Sequence, residues 1–172
     1  MTSIPILDTP RLRLRGHQLS DFADLAALWG DEAVVRHIGG RVSGEDESWA
    51  RLQRYLGHWA MLDYGFWAIE EKASGRYVGD LGLADFRRGL VHPFTDAPEA
   101  GWALAPWSHG RGYASEALAA ALAWGEQRFG SPKAWCIIDP ANAPSIRVAQ
   151  KAGFRGFAEM PYKGDAVLIF ER

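Results

Sequence analysis

The chain contains a single cysteine, Cys136, so no internal disulfide can form. That residue sits in the apolar run Ala134-Trp135-Cys136-Ile137-Ile138, which predicts a buried, inert thiol rather than a nucleophile. No hydrophobic run is long enough to cross a bilayer. The opening Met-Thr-Ser-Ile-Pro-Ile-Leu-Asp lacks the charged and apolar regions of a signal peptide. No membrane partner is expected, and the cytoplasm is the expected location. A basic excess is missing too: the net charge of −2 argues against nucleic acid as a partner. The histidines at 17, 37, 58, 92 and 109 have no metal-ligand spacing and no partner cysteine, so no metal site is expected. Repeats, linkers and low-complexity tracts are absent. What remains is 172 residues, 48% hydrophobic and 23% charged, which reads as one ordinary globular domain, 1–172, able to bury a core unaided.

Patterning predicts the elements. Alternation in Arg11-Leu12-Arg13-Leu14-Arg15 reads as a half-buried strand. Ser20 is placed to cap a helix carrying Phe22, Leu25, Leu28 and Trp29. Ser43 is placed to open a second, with Glu45, Asp46 and Glu47 in its first turn and Trp49, Leu52, Leu56 and Trp59 on one face. Strands are expected at 66–70, 77–83, 100–104, 134–138, 154–160 and 166–170, with a surface loop over 87–98. A long Ala-rich helix should run to Phe129, and a short one should end at Gly153. The fold class is α+β: a mixed seven-stranded sheet flanked by about four helices.

Chemistry concentrates in two segments. In the first, a strand leads through Ser108-His109-Gly110-Arg111-Gly112-Tyr113 into the long helix. Glycines permit a sharp turn and close backbone approach, and a helix N-terminus offers unpaired N–H groups to phosphate oxygens. Alone this is weak, since a tight turn without a ligand accounts for it equally well. A dinucleotide fingerprint would need a third glycine where Ser115 stands, and a P-loop would need Gly-Lys-Ser/Thr. The second segment runs from Asn142 to Phe154, with Asn at a strand exit, Ser145 in the first helical turn and a Gly-Phe exit.

Together these segments resemble the GNAT superfamily of N-acetyltransferases, more narrowly its ribosomal-protein-alanine N-acetyltransferase-like branch. The likeness extends over Thr9 to Arg15, Gly79-Asp80-Leu81-Gly82-Leu83, Glu99-Ala100-Gly101-Trp102, Gly110 to Ala117, and Asn142 to Phe154. It implies a single GNAT-like domain whose strands splay at an acetyl-CoA site. Acetyl-CoA would be the cosubstrate, with His109, Gly110, Arg111, Gly112, Tyr113 and Ala114 around its pyrophosphate. Backbone of Leu104 and Ala105 would pair with the pantetheine arm, and a backbone N–H there would hold the developing oxyanion. Asn142 would bond the same arm, Ser145 would lie near the sulfur, and Lys151 would reach a phosphate. Many relatives carry a tyrosine seven residues after the Asn position as proton donor to the departing thiolate. Ala149 stands there, which shifts that role to Ser145.

The resemblance implies acetyl transfer to a primary amine by direct attack in a ternary complex; no activated Ser or Cys nucleophile is visible. Neutralising an amine of pKa ~10.4 at pH 7 costs roughly 4–5 kcal/mol, against about 1 for an α-amine near ~8. A base is therefore needed most for side-chain amines. Glu99 is the candidate, since the family often places a water-linked carboxylate where the loop-feeding strand begins; Glu159 is second. Glu116 is expected to support the helix N-terminus through the dipole. The acceptor class stays open between a small-molecule amine and a protein N-terminal amine, and an edge strand near the C-terminus leaves room for a homodimer. The alternative is a catalytically silent acyl-CoA-binding sensor or partner module, and a nicotinamide-dependent enzyme comes third.

Overall fold

The computed structural model describes residues 3–93 and 96–172. Phe94 and Thr95, within the expected loop 87–98, and the first two residues of the expected domain lie outside the described residues. The sheet begins with β1 (Leu7–Asp8) and β2 (Leu12–Arg15), whose alternation buries Leu12 and Leu14. A 3-10 turn (Leu19–Asp21) leads into α1 (Phe22–Trp29), then α2 (Glu32–Val35) and α3 (Glu45–Leu62). Next come β3 (Phe66–Glu71), β4 (Tyr77–Ala84), β5 (Glu99–Leu104) and α4 (Tyr113–Phe129). The chain ends with β6 (Trp135–Ile138), α5 (Ala143–Lys151), β7 (Arg155–Tyr162) and β8 (Asp165–Glu171).

The eight strands form one sheet in the order β1-β2-β3-β4-β5-β6-β8-β7. Eight replaces the expected seven because β1, two residues long, is too short to show a period. Only β5 and β6 run parallel, and they share a single register pair, Glu99 with Trp135. One face packs Leu81, Leu83, Ala100 and Leu104 against Ala117, Leu118 and Ala121 of α4 and Ala149 of α5. The other packs Phe66, Ala68 and Ala103 beneath α1 and α3.

Helix starts differ from expectation by a residue or two. The cap position of α3 is Gly44, whose N–H donates to Glu47 (2.9 Å), rather than Ser43. Ser20 lies inside the 3-10 turn, where Asp21 accepts the Gln18 N–H instead (2.7 Å). The buried stripe of α3 is Ser48, Leu52, Tyr55 and Trp59, while Trp49 and Leu56 are exposed. One residue is a 100° rotation of the face, and a serine and a tyrosine on the inside hide that offset from a hydrophobic pattern.

Asp21 carries a pH signature. Burial raises its pKa, but Arg15 forks onto both carboxylate oxygens (2.8 Å each) and, with the Gln18 N–H, holds it below the ordinary value. An acid depressed in the folded state stabilises above its unfolded pKa, so this contribution should be lost progressively as pH falls below about 5. Urea midpoints from pH 7 to pH 3 (roughly the window of carboxylate uptake) should decline less steeply in Arg15→Met than in wild type. Parallel declines remove the Arg15–Asp21 pair from the acid response.

Candidate active site

The site begins with the direction of peptide groups along β5. The Ala105 N–H donates to the Val78 carbonyl on β4 (2.8 Å). Antiparallel ladders alternate, so the N–H and C=O of Trp102 and Leu104 turn the other way, toward β6. There β6 leaves them. Among the described residues its one register pair with β5 is at its start, where the Trp135 N–H donates to the carbonyl of Pro98, just before β5 (3.2 Å), and it pairs along its whole length with β8. The two strands open beyond that point. The Leu104 carbonyl is taken by the His109 ring, whose Nε2–H donates to it (2.8 Å), leaving the Leu104 N–H facing the opening.

The backbone of Ala105 is placed differently from that of Leu104. Ala105 has neither backbone group to offer a ligand: its N–H is on Val78, and its carbonyl accepts both the N–H (2.9 Å) and the hydroxyl (2.7 Å) of Ser108. Of the two, Leu104 alone turns its N–H toward the opening.

At the head of the opening, Gly110 and Gly112 adopt φ of 74° and 77°, a region costly for other residues. Gly112 is the N-cap of α4, so the N–H groups of Tyr113, Ala114 and Ser115 lie in the first helical turn, without partners inside the helix. The loop is braced from outside. Arg11 donates to the Arg111 carbonyl (2.8 Å), pairs with Glu116 (2.6 Å) and lies 4.7 Å from the Tyr113 ring centre. Glu116 also accepts the Thr9 hydroxyl (2.6 Å) and the Arg11 N–H (2.9 Å). Its work is thus to tie the β1–β2 turn to α4, beyond the expected dipole role. Arg111 stands exposed, 3.6 Å from Glu71.

On the far side, Asn142 caps α5 by accepting the Ser145 N–H (3.2 Å). The Ser145 hydroxyl oxygen accepts the Trp102 indole N–H (3.3 Å), and its own proton goes to no described residue. Ala149 is fully buried against α4 and the sheet. Lys151 lies exposed at the other end of α5, about 9 Å along the helix axis from Ser145.

Glu99 projects with Ala103 onto the α1–α3 side of the sheet and is 2% exposed. Both its oxygens accept from Arg88 Nε (2.7 and 2.9 Å), and Arg88 Nη1 donates to the Tyr162 hydroxyl (3.0 Å). Burial pushes the Glu99 carboxyl above its ordinary value, against the pull of Arg88. Glu159 is not brought to this group: it lies on the exposed side of β7, one position out of phase with Tyr162. Cys136 is buried, and burial raises its thiol pKa.

Trp102, Arg88, Tyr162 and Arg11 are the site residues that sequence reasoning missed. Trp102 sits in a quoted motif but carries no charge to single it out, and Arg88 falls in a segment without periodicity.

A family model described as an acetyltransferase (GNAT) domain matches residues 11–155. The chain is a GNAT acetyltransferase. YkkB of Bacillus subtilis (strain 168) is 31% identical over 96% of this chain and 94% of its own. A putative GNAT-family acetyltransferase from Bordetella pertussis superposes with a TM-score of 0.85 at 34% identity, covering 98% of this chain and 99% of that one. RimL, the ribosomal L7/L12 alpha-N-protein acetyltransferase in complex with coenzyme A, superposes with a TM-score of 0.79 at 19% identity over 98% and 97% of the two chains. That last likeness is one of fold. The strand opening and the glycine corner meet at the C-terminal end of β5, in the interior of the sheet, with Glu99 at the start of that strand.

Proposed function

We propose that this GNAT protein moves the acetyl group of acetyl-CoA onto a primary amine by direct attack within a ternary complex. The carrying observation is the parting of β5 and β6 after one register pair, which turns the Leu104 N–H and the Trp102 peptide groups into an open edge. Such groups are satisfied by an amide-bearing ligand lying alongside like a further strand. The residues present fit that cosubstrate: a Cβ at Gly110 would meet nothing within 4 Å, so the corner is roomy, and the first turn of α4 supplies N–H donors for a diphosphate. RimL, of the same fold, holds coenzyme A.

Each residue then has one task. The Leu104 N–H faces the oxygen on which charge builds during attack, where a preorganised donor is worth most. Ser145, its oxygen already occupied by the Trp102 N–H, has its proton directed away to donate to the departing thiolate. Glu99 takes the proton released by the amine, through water. Asn142 spends its oxygen on the helix cap and keeps its NH2 for the pantetheine arm. His109 serves by fixing the Leu104 carbonyl, and Arg111 offers an exposed cation within the corner itself. Lys151, at the far end of α5, is left for a phosphate beyond the pyrophosphate.

Calorimetric titration with acetyl-CoA, followed by free-thiol release over an amine panel, tests this reading. Gly112→Val forces a β-branched residue to positive φ and should weaken acetyl-CoA about tenfold or more, with circular dichroism confirming a retained fold. Unchanged affinity in a folded variant overturns the phosphate corner. Binding without thiol release from any amine favours the sensor module.

A further inference from the structure

Resting on the acetyl-transfer reading, a second set of groups narrows the acceptor. Phe86 follows β4 and is the meeting point of two guanidinium groups: Arg88 Cζ lies 4.7 Å and Arg54 Cζ 5.8 Å from its ring centre. Arg88 spends Nε on Glu99 and Nη1 on Tyr162; Nη2 bonds nothing among the described residues. The Arg54 side chain, on the outer side of α3, forms no hydrogen bond or ion pair among the described residues, and its guanidinium sits beside the Phe86 ring instead. One turn earlier the Arg51 guanidinium lies 3.5 Å from the Trp29 ring centre, its buried Nε unbonded.

Acids near Phe86 do not balance these cations. Asp85 pairs with Arg87 (2.8 Å) and Glu99 with Arg88 (2.7 Å), which leaves Arg54 without an ion-pair partner among the described residues. The surplus is local, for the whole chain carries −2. Desolvation and the neighbouring Arg51 and Arg88 lower the Arg54 pKa, against the pull of Tyr55. A guanidinium left this way offers a donor fork matched to a carboxylate.

Glu99 and Arg88 side by side present a carboxylate next to a guanidinium. An α-amino acid presents the complement, an ammonium next to a carboxylate. We propose that the acceptor is a small amino-acid-like amine, its carboxylate held by Arg54 and by Nη2 of Arg88 while its amine lies toward Glu99. Phe86 forms the floor between the two charged ends, with the His58 ring edge-on to it at 5.6 Å. A polyamine is disfavoured by the same geometry, because its second cation would meet guanidinium groups rather than acids.

The experiment compares the L-amino acids, their C-terminal amides, an amidated Ser-Ala dipeptide and spermidine as acceptors, followed by thiol release from acetyl-CoA. For the best amino acid, amidation should raise KM about tenfold or more, the scale of a lost charged hydrogen-bond pair. Arg54→Gln should raise KM for the acid by a similar factor, with kcat within about twofold, and should leave KM for the amide almost unmoved. Arg54→Lys should recover part of the loss. Amides, the dipeptide or spermidine serving as well as the free acids overturns the proposal, as does an equal rise in KM for acid and amide in Arg54→Gln. Those outcomes leave acetyl transfer itself standing. Failure of acetyl-CoA to bind in the calorimeter removes both.

Discussion

Asp80→Ala should cost the fold roughly 3–5 kcal/mol, the scale of breaking a buried charged network, and lower the melting temperature by about 10 °C. Asp80 is 0% exposed, and an isolated carboxylate there would be prohibitive. It is held by three donors from three places in the chain: His17 Nε2 (2.7 Å), the Trp29 indole N–H (2.9 Å) and the Tyr77 hydroxyl. Burial, together with the adjacent Asp80, pushes the Tyr77 hydroxyl well above its usual pKa, so it stays a donor. Removing the carboxylate strands all three polar groups without water, which costs more than the bonds were worth. Because Trp29 ends α1 and His17 precedes it, the damage falls on the packing of α1 against β4. Asp80→Asn keeps the volume but turns one acceptor into a donor facing a donor, so an intermediate loss is expected. Thermal and urea melts decide the matter. A loss below about 1 kcal/mol in Asp80→Ala would show that the three donors find other partners.

Backbone requirements were readable in the chain; side-chain meetings were not. Gly110 and Gly112 announce their turn because few other residues take positive φ, and Asn142 announces a strand exit with Ser145 in the helical turn that follows. Both lie where expected. The orientation of Ala105 was hidden for the opposite reason: which peptide groups face the opening depends on register with Val78, and a single residue flips the answer. The partners of Glu99 come from 11 residues before it and, through Arg88, from 74 residues beyond that arginine. Those of Asp80 lie 63, 51 and 3 residues away. No spacing rule links such positions, since only the assembled sheet and helices bring them together. The α3 stripe shows the intermediate case, its period legible and its phase hidden by Ser48 and Tyr55.

Glu99→Gln should lower turnover about 100-fold at pH values where the acceptor amine is protonated, the usual scale for loss of a general base. Its effect should shrink as pH approaches the amine pKa, because an amine that arrives neutral needs no base. Wild-type activity should fall in acid as Glu99 takes up its proton. Since burial raises that pKa, the acid limb should lie above the ordinary glutamate value of about 4.3. Two variants separate a base from a merely structural ion pair. In Glu99→Gln the amide oxygen still accepts from Arg88, so the fold should persist while the acid limb disappears. Arg88→Gln instead withdraws the charge that lowers the Glu99 pKa, so the acid limb should survive and move to higher pH. Acetyl-CoA affinity should stay unchanged in Glu99→Gln, because that side chain projects toward α1 and α3 while the Leu104 N–H lies in the plane of the sheet. Full turnover by Glu99→Gln across the pH range would assign the proton to another acceptor. An acid limb that stays in place in both variants would assign it to a group outside the Arg88–Glu99–Tyr162 chain.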